Sequence, residues 1–297
     1  MKLYYCDQHE IPLPAGHKFP ISKYRLLRET LAADGLFEFE RAPLADLETI
    51  ALAHDREYVE SFIHGTLDPK AMRRIGFPWS SGLVRRTLAS AGGTLAATAD
   101  ALATGIGGTL SGGTHHAFRS EGSGFCVFND VAIAIHSLRA RGRDPRVAVI
   151  DLDVHQGDGT AHFFENDPRV LTLSLHGANN FPFRKQRSSI DIELPDKTGD
   201  AEYLATLDGA LARVWDFAPG LVFYLSGVDA LASDVLGRLS LTYAGLAERD
   251  RRVIGGARKR LIPLVITLGG GYANPIDHTV AAHAETFRIA AKLEFVP

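Results

Sequence analysis

The stretch Val147-Ala-Val-Ile-Asp151-Leu-Asp153-Val-His155-Gln-Gly-Asp158-Gly159 decides the fold. Val147 to Ile150 is continuously apolar, the composition of a strand buried on both faces. Directly behind it come three carboxylates and an imidazole. A doubly covered strand that empties into polar residues belongs to a parallel sheet, where function gathers at the carboxyl edge. In extended chain, positions 151, 153 and 155 share a face. Asp153 and His155 could then grip one cation, with Asp151 close behind. A polar loop with Asp turns, such as Asp158-Gly159, is the plainer reading, and the spacing alone does not separate the two.

The same alternation continues outward. Further strands are expected at Lys2–Tyr5, Val170–Leu175, Leu221–Leu225 and Ile262–Leu268, with the first one completed at Val147–Asp151. Helical spacing of apolar residues marks Val131–Arg141, Ala201–Phe217, Thr242–Arg260 and Asp277–Leu293. Asn129 and Asp130 both read as caps for the first of these. The first half is mostly helix: Pro20–Ala33, Leu44–His54, Glu57–Ile63 and the Ala- and Gly-rich Ser80–Ala103. Strands separated by crossover helices define an α/β fold, a parallel sheet with helices on both faces.

Other strand ends are as polar as the first. Leu221–Leu225 leads to Ser226-Gly-Val-Asp229, a second carboxylate for the same edge, or a turn residue. Ile262–Leu268 leads to Gly269-Gly-Gly-Tyr272; the glycines permit close backbone approach and leave space around the Tyr272 hydroxyl. Upstream, Leu110-Ser-Gly-Gly-Thr-His115-His116 offers adjacent histidines, suited to flank a reaction centre as acid and base. Gly122-Ser-Gly124-Phe125-Cys126-Val-Phe128-Asn129-Asp130 brings Phe125, a pocket wall or a core aromatic.

Composition narrows the classes. The 297 residues carry 35 acidic and 32 basic side chains, net −3, which excludes a protein held to nucleic acid by bulk charge. Arg249, Arg251, Arg252 and Arg258-Lys-Arg260 alternate with Glu248 and Asp250 and read as a solvated helix face. Two cysteines, Cys6 and Cys126, cannot build a disulfide framework or a Cys-rich zinc cluster. The start lacks a signal-like apolar core, and no run approaches a membrane span of about 18 apolar residues. A cytoplasmic protein without membrane or nucleic-acid partners is expected; nothing specifies an oligomeric state. Cys126 reads as a small buried hydrophobe. His17, His54, His162, His278 and His283 read as surface or packing residues, and His176 lies beside the site at most.

Taken together, two Asp and one His leave open positions on a divalent metal, as catalytic sites do. The metal acidifies water, the histidines move protons, and Tyr272 can donate to an oxyanion. This is a recipe for metal-assisted amide hydrolysis.

The motifs Gly112-Gly-Thr-His-His116, Gly124-Phe-Cys-Val-Phe-Asn-Asp130, Asp151-Leu-Asp-Val-His-Gln-Gly-Asp-Gly159 and Gly269-Gly-Gly-Tyr272 stand in the order found in histone deacetylases. From His17-Lys-Phe-Pro20 onward, the chain resembles that family of the arginase–deacetylase fold. Gln156 and the run Asp234-Val-Leu-Gly-Arg-Leu-Ser240 are similar to the class IV and bacterial branch. The resemblance implies one three-layer α/β domain over 1–297 around an eight-stranded parallel sheet. It implies zinc on Asp153, His155 and Asp229, with iron(II) or cobalt(II) also tolerated by such ligands. It implies His116 as general base and acid, His115 as its electrostatic partner, and Asp151 and Asp158 as their carboxylates. Tyr272 would polarise the acyl carbonyl, the Gly124 carbonyl would accept from the substrate amide, and Phe125 and Phe181 would flank the lysine methylenes. Asp151, Ser174 and Leu175 resemble a potassium site. The implied substrate is an acylated lysine, with a small acetylated amine such as an acetylpolyamine, or an acyl-ligand sensor without turnover, as alternatives.

Departures bear on the substrate. The class I Asp that grips a peptide backbone has no counterpart in Ile75-Gly-Phe-Pro-Trp-Ser-Ser81, and no acidic insertion of the polyamine-specific kind is identifiable. A two-manganese ureohydrolase would need carboxylates two residues beyond His155 and Asp229, where Gly157 and Leu231 stand.

Overall fold

The computed structural model describes residues 1–293. In chain order the strands are β1 (Lys2–Tyr5), β2 (Glu38–Arg41), β3 (Ile106–Thr109), β4 (Val147–Asp151), β5 (Val170–Gly177), β6 (Ile190–Leu194), β7 (Leu221–Leu225) and β8 (Leu264–Thr267). The helices are α1 (Ser22–Ala32), α2 (Leu47–Ile50), α3 (Arg56–His64), α4 (Pro69–Ile75), α5 (Ser81–Thr104), α6 (Asp130–Ala140), α7 (Asp158–Phe164), α8 (Asp200–Asp216), α9 (Tyr243–Lys259) and α10 (Asp277–Lys292). One sheet holds all eight strands in the order β2-β1-β3-β8-β7-β4-β5-β6, every neighbour parallel.

The central strands explain the layering. Every residue of β4, β7 and β8 is buried. Successive side chains point to opposite faces. Ala148, Ile150, Val222, Tyr224 and Ile266 join a core with Leu27 and Leu31 of α1, Tyr203 and Leu207 of α8, Val253 of α9 and Phe287 of α10. Val147, Val149, Leu221, Phe223 and Val265 meet Phe62 of α3, Ala97 of α5 and Ile133 of α6 on the other side. Each such Val, Leu, Ile or Phe contributes roughly 1.5–3 kcal/mol on burial. The Ala and Gly of α5 let it press on β3: a Cβ at Gly107 would stand 1.9 Å from the Ala97 carbonyl oxygen.

Three strands escape a reading by apolar runs. The edges β2 (Glu-Phe-Glu-Arg) and β6 (Ile-Asp-Ile-Glu-Leu) alternate charge with apolar residues, as exposed edges do. The strand β3 is only Ile-Gly-Gly-Thr. The helix expected over Leu44–His54 is confined to α2: Asp46 caps it through the Thr49 amide at 2.7 Å, and the chain turns after Ile50 to bury His54. The helix α4, opened by Asp68 and Pro69, was not expected. Asp158, a turn residue on the plainer of the two readings, begins α7.

Candidate active site

β3, β8, β7 and β4 are neighbours in the middle of the sheet, and each releases a polar segment at its carboxyl end. Behind β4, the extended-chain expectation fails. The strand ends at Asp151 and the backbone bends through Asp153–His155. The bend is fixed from β7: the Leu152 amide donates to the Leu225 carbonyl at 3.2 Å, and the Val154 amide donates to Asp229 Oδ1 at 2.9 Å. Asp153 and His155 therefore converge through a turn and not through strand alternation. His155 Nδ1 stands 2.9 Å from Asp153 Oδ1 and 3.1 Å from Asp229 Oδ2. Asp153, His155 and Asp229 each present a donor atom within 4.8 Å of the others, and no second such group occurs among the described residues.

The tandem histidines rest on separate carboxylates. His115 Nδ1 lies 2.7 Å from Asp151 Oδ2, and His116 Nδ1 lies 2.7 Å from Asp158 Oδ1. Their ring centroids are 4.0 Å apart. With Nδ1 engaged, Nε2 is the nitrogen left for chemistry on each ring. The loop carrying them is pinned by Asp130, whose carboxylate accepts from the Gly113 amide, the Thr114 amide and hydroxyl, and the Thr94 hydroxyl. Only Asn129 caps α6, through the Ala132 amide at 2.9 Å; Asp130 serves the loop, a correction to the expectation of two caps.

The triple glycine sits against the acidic pair. A Cβ at Gly270 would be 1.7 Å from Asp229 Oδ2, and the Gly270 amide donates to Asp153 Oδ2. Tyr272 follows, its ring 6.5 Å from that of His155. Its amide donates to Asp234 Oδ2 at 2.6 Å, while Asp234 Oδ1 accepts from the Leu236 and Gly237 amides. Asp234 and Asp130 were both missed as site residues; an Asp in a Gly-containing loop is the one signal each leaves in the sequence.

A cavity of about 650 Å³ reaches these groups, lined among others by His116, Gly124, Phe125, Asp153, Phe181 and Tyr272. Phe125 is held at φ 66°, a conformation side chains rarely adopt, and strain of this kind clusters at ligand sites. Its amide donates to the Ile75 carbonyl at 2.8 Å, and its ring packs against Phe19 and Phe77, both at 5.3 Å. Phe181 meets His116 edge-on at 4.9 Å. Asp151 and Ser174 pair across β4 and β5, with Leu175 next in β5; the Ser174 hydroxyl bonds His176 Nδ1 at 2.9 Å.

Burial and charge set the protonation. Burial opposes charging His115, but Asp151 and Asp153 outweigh it and raise its pKa to about 9. His116 is lowered to about 4 by burial and by the neighbouring His115. His155 is raised to about 10 against burial by Asp153 and Asp229, and burial beside Asp153 pushes Asp229 up to about 7. Burial also pushes the Cys126 thiol up, which keeps it from nucleophilic chemistry. His54 is buried, accepting from the Asn129 amide and facing the Arg119 carbonyl. His283 is equally buried. Both are packing residues, as expected.

This sheet order and this edge are those of the arginase–deacetylase fold. The chain belongs to the histone deacetylase family, whose domain matches residues 17–287, and it is a hydrolytic deacetylase. An uncharacterized protein of the cyanobacterium Picosynechococcus is 43% identical, over 96% of this chain and 97% of its own length. Histone deacetylase 2 of Arabidopsis thaliana is 33% identical over 91% and 73%. A probable deacetylase of Archaeoglobus fulgidus is 32% identical over 82% and 73%. No helix among the described residues is long and apolar enough to cross a membrane.

Proposed function

We propose that the protein is a zinc-dependent deacylase of N-acyl-lysine. The observation that carries this reading is the tandem His115–His116, each 2.7 Å from its own carboxylate, beside the convergent Asp153, His155 and Asp229, the first two of which line a cavity walled by Phe125 and Phe181. The donor set fits a divalent ion: two buried carboxylates crowd one imidazole, and burial with Asp153 alongside raises the Asp229 pKa, a cost that a cation offsets. Asp153, His155 and Asp229 would hold zinc; iron(II) or cobalt(II) suits the same donors. When bound, the ion supplies Lewis-acid chemistry, polarising the amide carbonyl and making water a better nucleophile.

The chain's own groups do the rest. His116 takes a proton at Nε2 and returns it to the departing amine. Asp158 fixes the ring for both transfers. Burial, with His115 beside it, holds His116 neutral beforehand. The Tyr272 hydroxyl donates to the acyl oxygen as negative charge builds there. The Gly124 carbonyl accepts from the substrate amide, and Phe125 and Phe181 flank the lysine methylenes. Potassium at Asp151, Ser174 and Leu175 would firm the floor beneath. Two buried, unpaired cysteines support a reducing, cytoplasmic setting.

Lys18, Arg74 and Arg238 are exposed and line the cavity, the two arginines paired with Glu121 and Asp196, and the one carboxylate of the lining is Asp153 beside His155; the lining offers no acidic mouth to draw a polycation, which favours an acyl-lysine carrier over an acetylpolyamine. A sensor without turnover would have no use for both His116 and Tyr272. The test is a turnover panel with zinc-loaded protein: acetyl-lysine peptides, long-chain acyl-lysine peptides and acetylated polyamines. Amine release from acyl-lysine peptides is expected. Release from polyamines alone, or from nothing, overturns the proposal.

A further inference from the structure

Arg249 is buried without exposed surface in α9, and it is the largest fully buried side chain among the described residues. Its alternation with Glu248 and Asp250 in the sequence reads as a solvated face. The guanidinium instead points into the sheet. Its Nε donates to Asp250 Oδ1 at 2.8 Å, and Nη2 lies at the same distance from that oxygen. Nη1 donates to two backbone carbonyls, those of Gly227 at 2.5 Å and Leu152 at 3.4 Å. Asp250 is fixed in turn by the Tyr224 hydroxyl at 2.5 Å and the Thr286 hydroxyl at 2.6 Å.

The two carbonyls are the point. Leu152 is the residue between Asp151 and Asp153, and Gly227 lies two residues before Asp229. One guanidinium thus straddles the turns after β4 and β7, which carry the two metal-donor carboxylates. Those carboxylates repel each other in a buried setting. A planar, always charged fork with several fixed donors is suited to hold both backbones against that repulsion. We infer that Arg249 is a positioning residue: it fixes the separation of the β4 and β7 turns at which Asp153 and Asp229 share one ion. The inference rests on the metal-site reading above.

Support outside the first ligand sphere of this kind changes metal affinity by about 10–100-fold. The test titrates metal-stripped protein with cobalt(II), followed by its visible absorption bands, and with zinc in competition with a chelator. Arg249→Lys keeps charge and bulk, but one ammonium cannot span both carbonyls and Asp250. It is expected to bind zinc at least tenfold more weakly, with altered cobalt bands. Arg249→Met is expected to lose more; if it does not fold, the lysine variant carries the test. Phe62→Leu, in the opposite core, provides the comparison: it should lower the melting temperature and leave affinity and bands unchanged. Zinc affinity within twofold of wild type in Arg249→Lys overturns the inference. So does an equal loss in Phe62→Leu at equal destabilisation, which would mark Arg249 as merely structural. Asp229→Ala separates the underlying reading: if it binds zinc as tightly as wild type, the ligand assignment fails, whatever Arg249 does.

Discussion

Gly270→Ala should cripple the site while sparing the fold. The backbone at Gly270 lies outside the left-handed region, so alanine meets no left-handed strain and the cost is steric. The new methyl would stand 1.7 Å from Asp229 Oδ2 and 2.9 Å from Asp153 Oδ2. A carbon needs roughly 3.3 Å from a carbonyl-type oxygen. Asp229 must therefore retreat by about 1.5 Å, and Asp153 by a few tenths. That retreat breaks the bond from the Val154 amide to Asp229 Oδ1, 2.9 Å long, and opens the 3.1 Å contact to His155. A hydrogen bond to a charged group is worth about 1.5–3 kcal/mol, which is about 10- to 100-fold in metal affinity. Misplacement by about 1 Å costs on the order of 10² in rate. Zinc binding by competition, turnover on an acyl-lysine peptide and far-UV circular dichroism form the assay. An alanine variant with affinity within twofold of wild type and at least half its turnover would refute the steric argument.

The tandem histidines should differ. His116→Ala is expected to lose about 10²–10⁴ in kcat, more than His115→Ala, with zinc content intact in both; equal, small losses would remove His116 from proton transfer. Tyr272→Phe keeps the ring and removes the donor, so kcat should fall by about 10²–10³ with KM little changed; near-wild-type kcat would leave oxyanion stabilisation to other groups. His54, like His116 and His176, should contribute to acid sensitivity, because burial lowers its pKa to about 4. Between its unfolded value near 6.5 and about 4 the unfolded chain binds the extra proton at this site, so the His54 contribution is full above that window and falls by on the order of 3 kcal/mol as pH drops through it. His54→Gln should flatten the dependence of melting temperature on pH there, and an unchanged slope would count against a neutral buried His54.

The chemistry was more legible in the sequence than the architecture. Asp153, His155, Asp229 and Tyr272 follow apolar runs, and a buried strand announces its own end; His115 and His116 stand out as a tandem pair in a Gly-rich loop. Their convergence is a property of strand order, which no local pattern carries: β8 lies between β3 and β7 although it is last in the chain. The strands β2, β3 and β6 were invisible one by one because two are charged edges and the third is half glycine. Supporting residues were hardest to see. Asp130 looks like a cap, Asp234 like a turn and Arg249 like a surface charge, and in each case the partner is a backbone group far along the chain. A helical wheel cannot tell an arginine that faces water from one that faces carbonyls inside.

The distance in sequence between the proposed metal donors has a thermodynamic consequence. Asp153 and His155 are two residues apart, but Asp229 comes 74 residues after His155. An unfolded chain offers an ion only a local Asp–His pair, because bringing in Asp229 means closing a long loop against chain entropy. The full affinity exists only once β4 and β7 are paired. An ion held there would be a ligand of the native state almost alone, and its binding would add to folding stability by mass action, about 4 kcal/mol at a free concentration a thousand times its dissociation constant. The melting temperature of such a protein is then a reading of metal supply as much as of its own core.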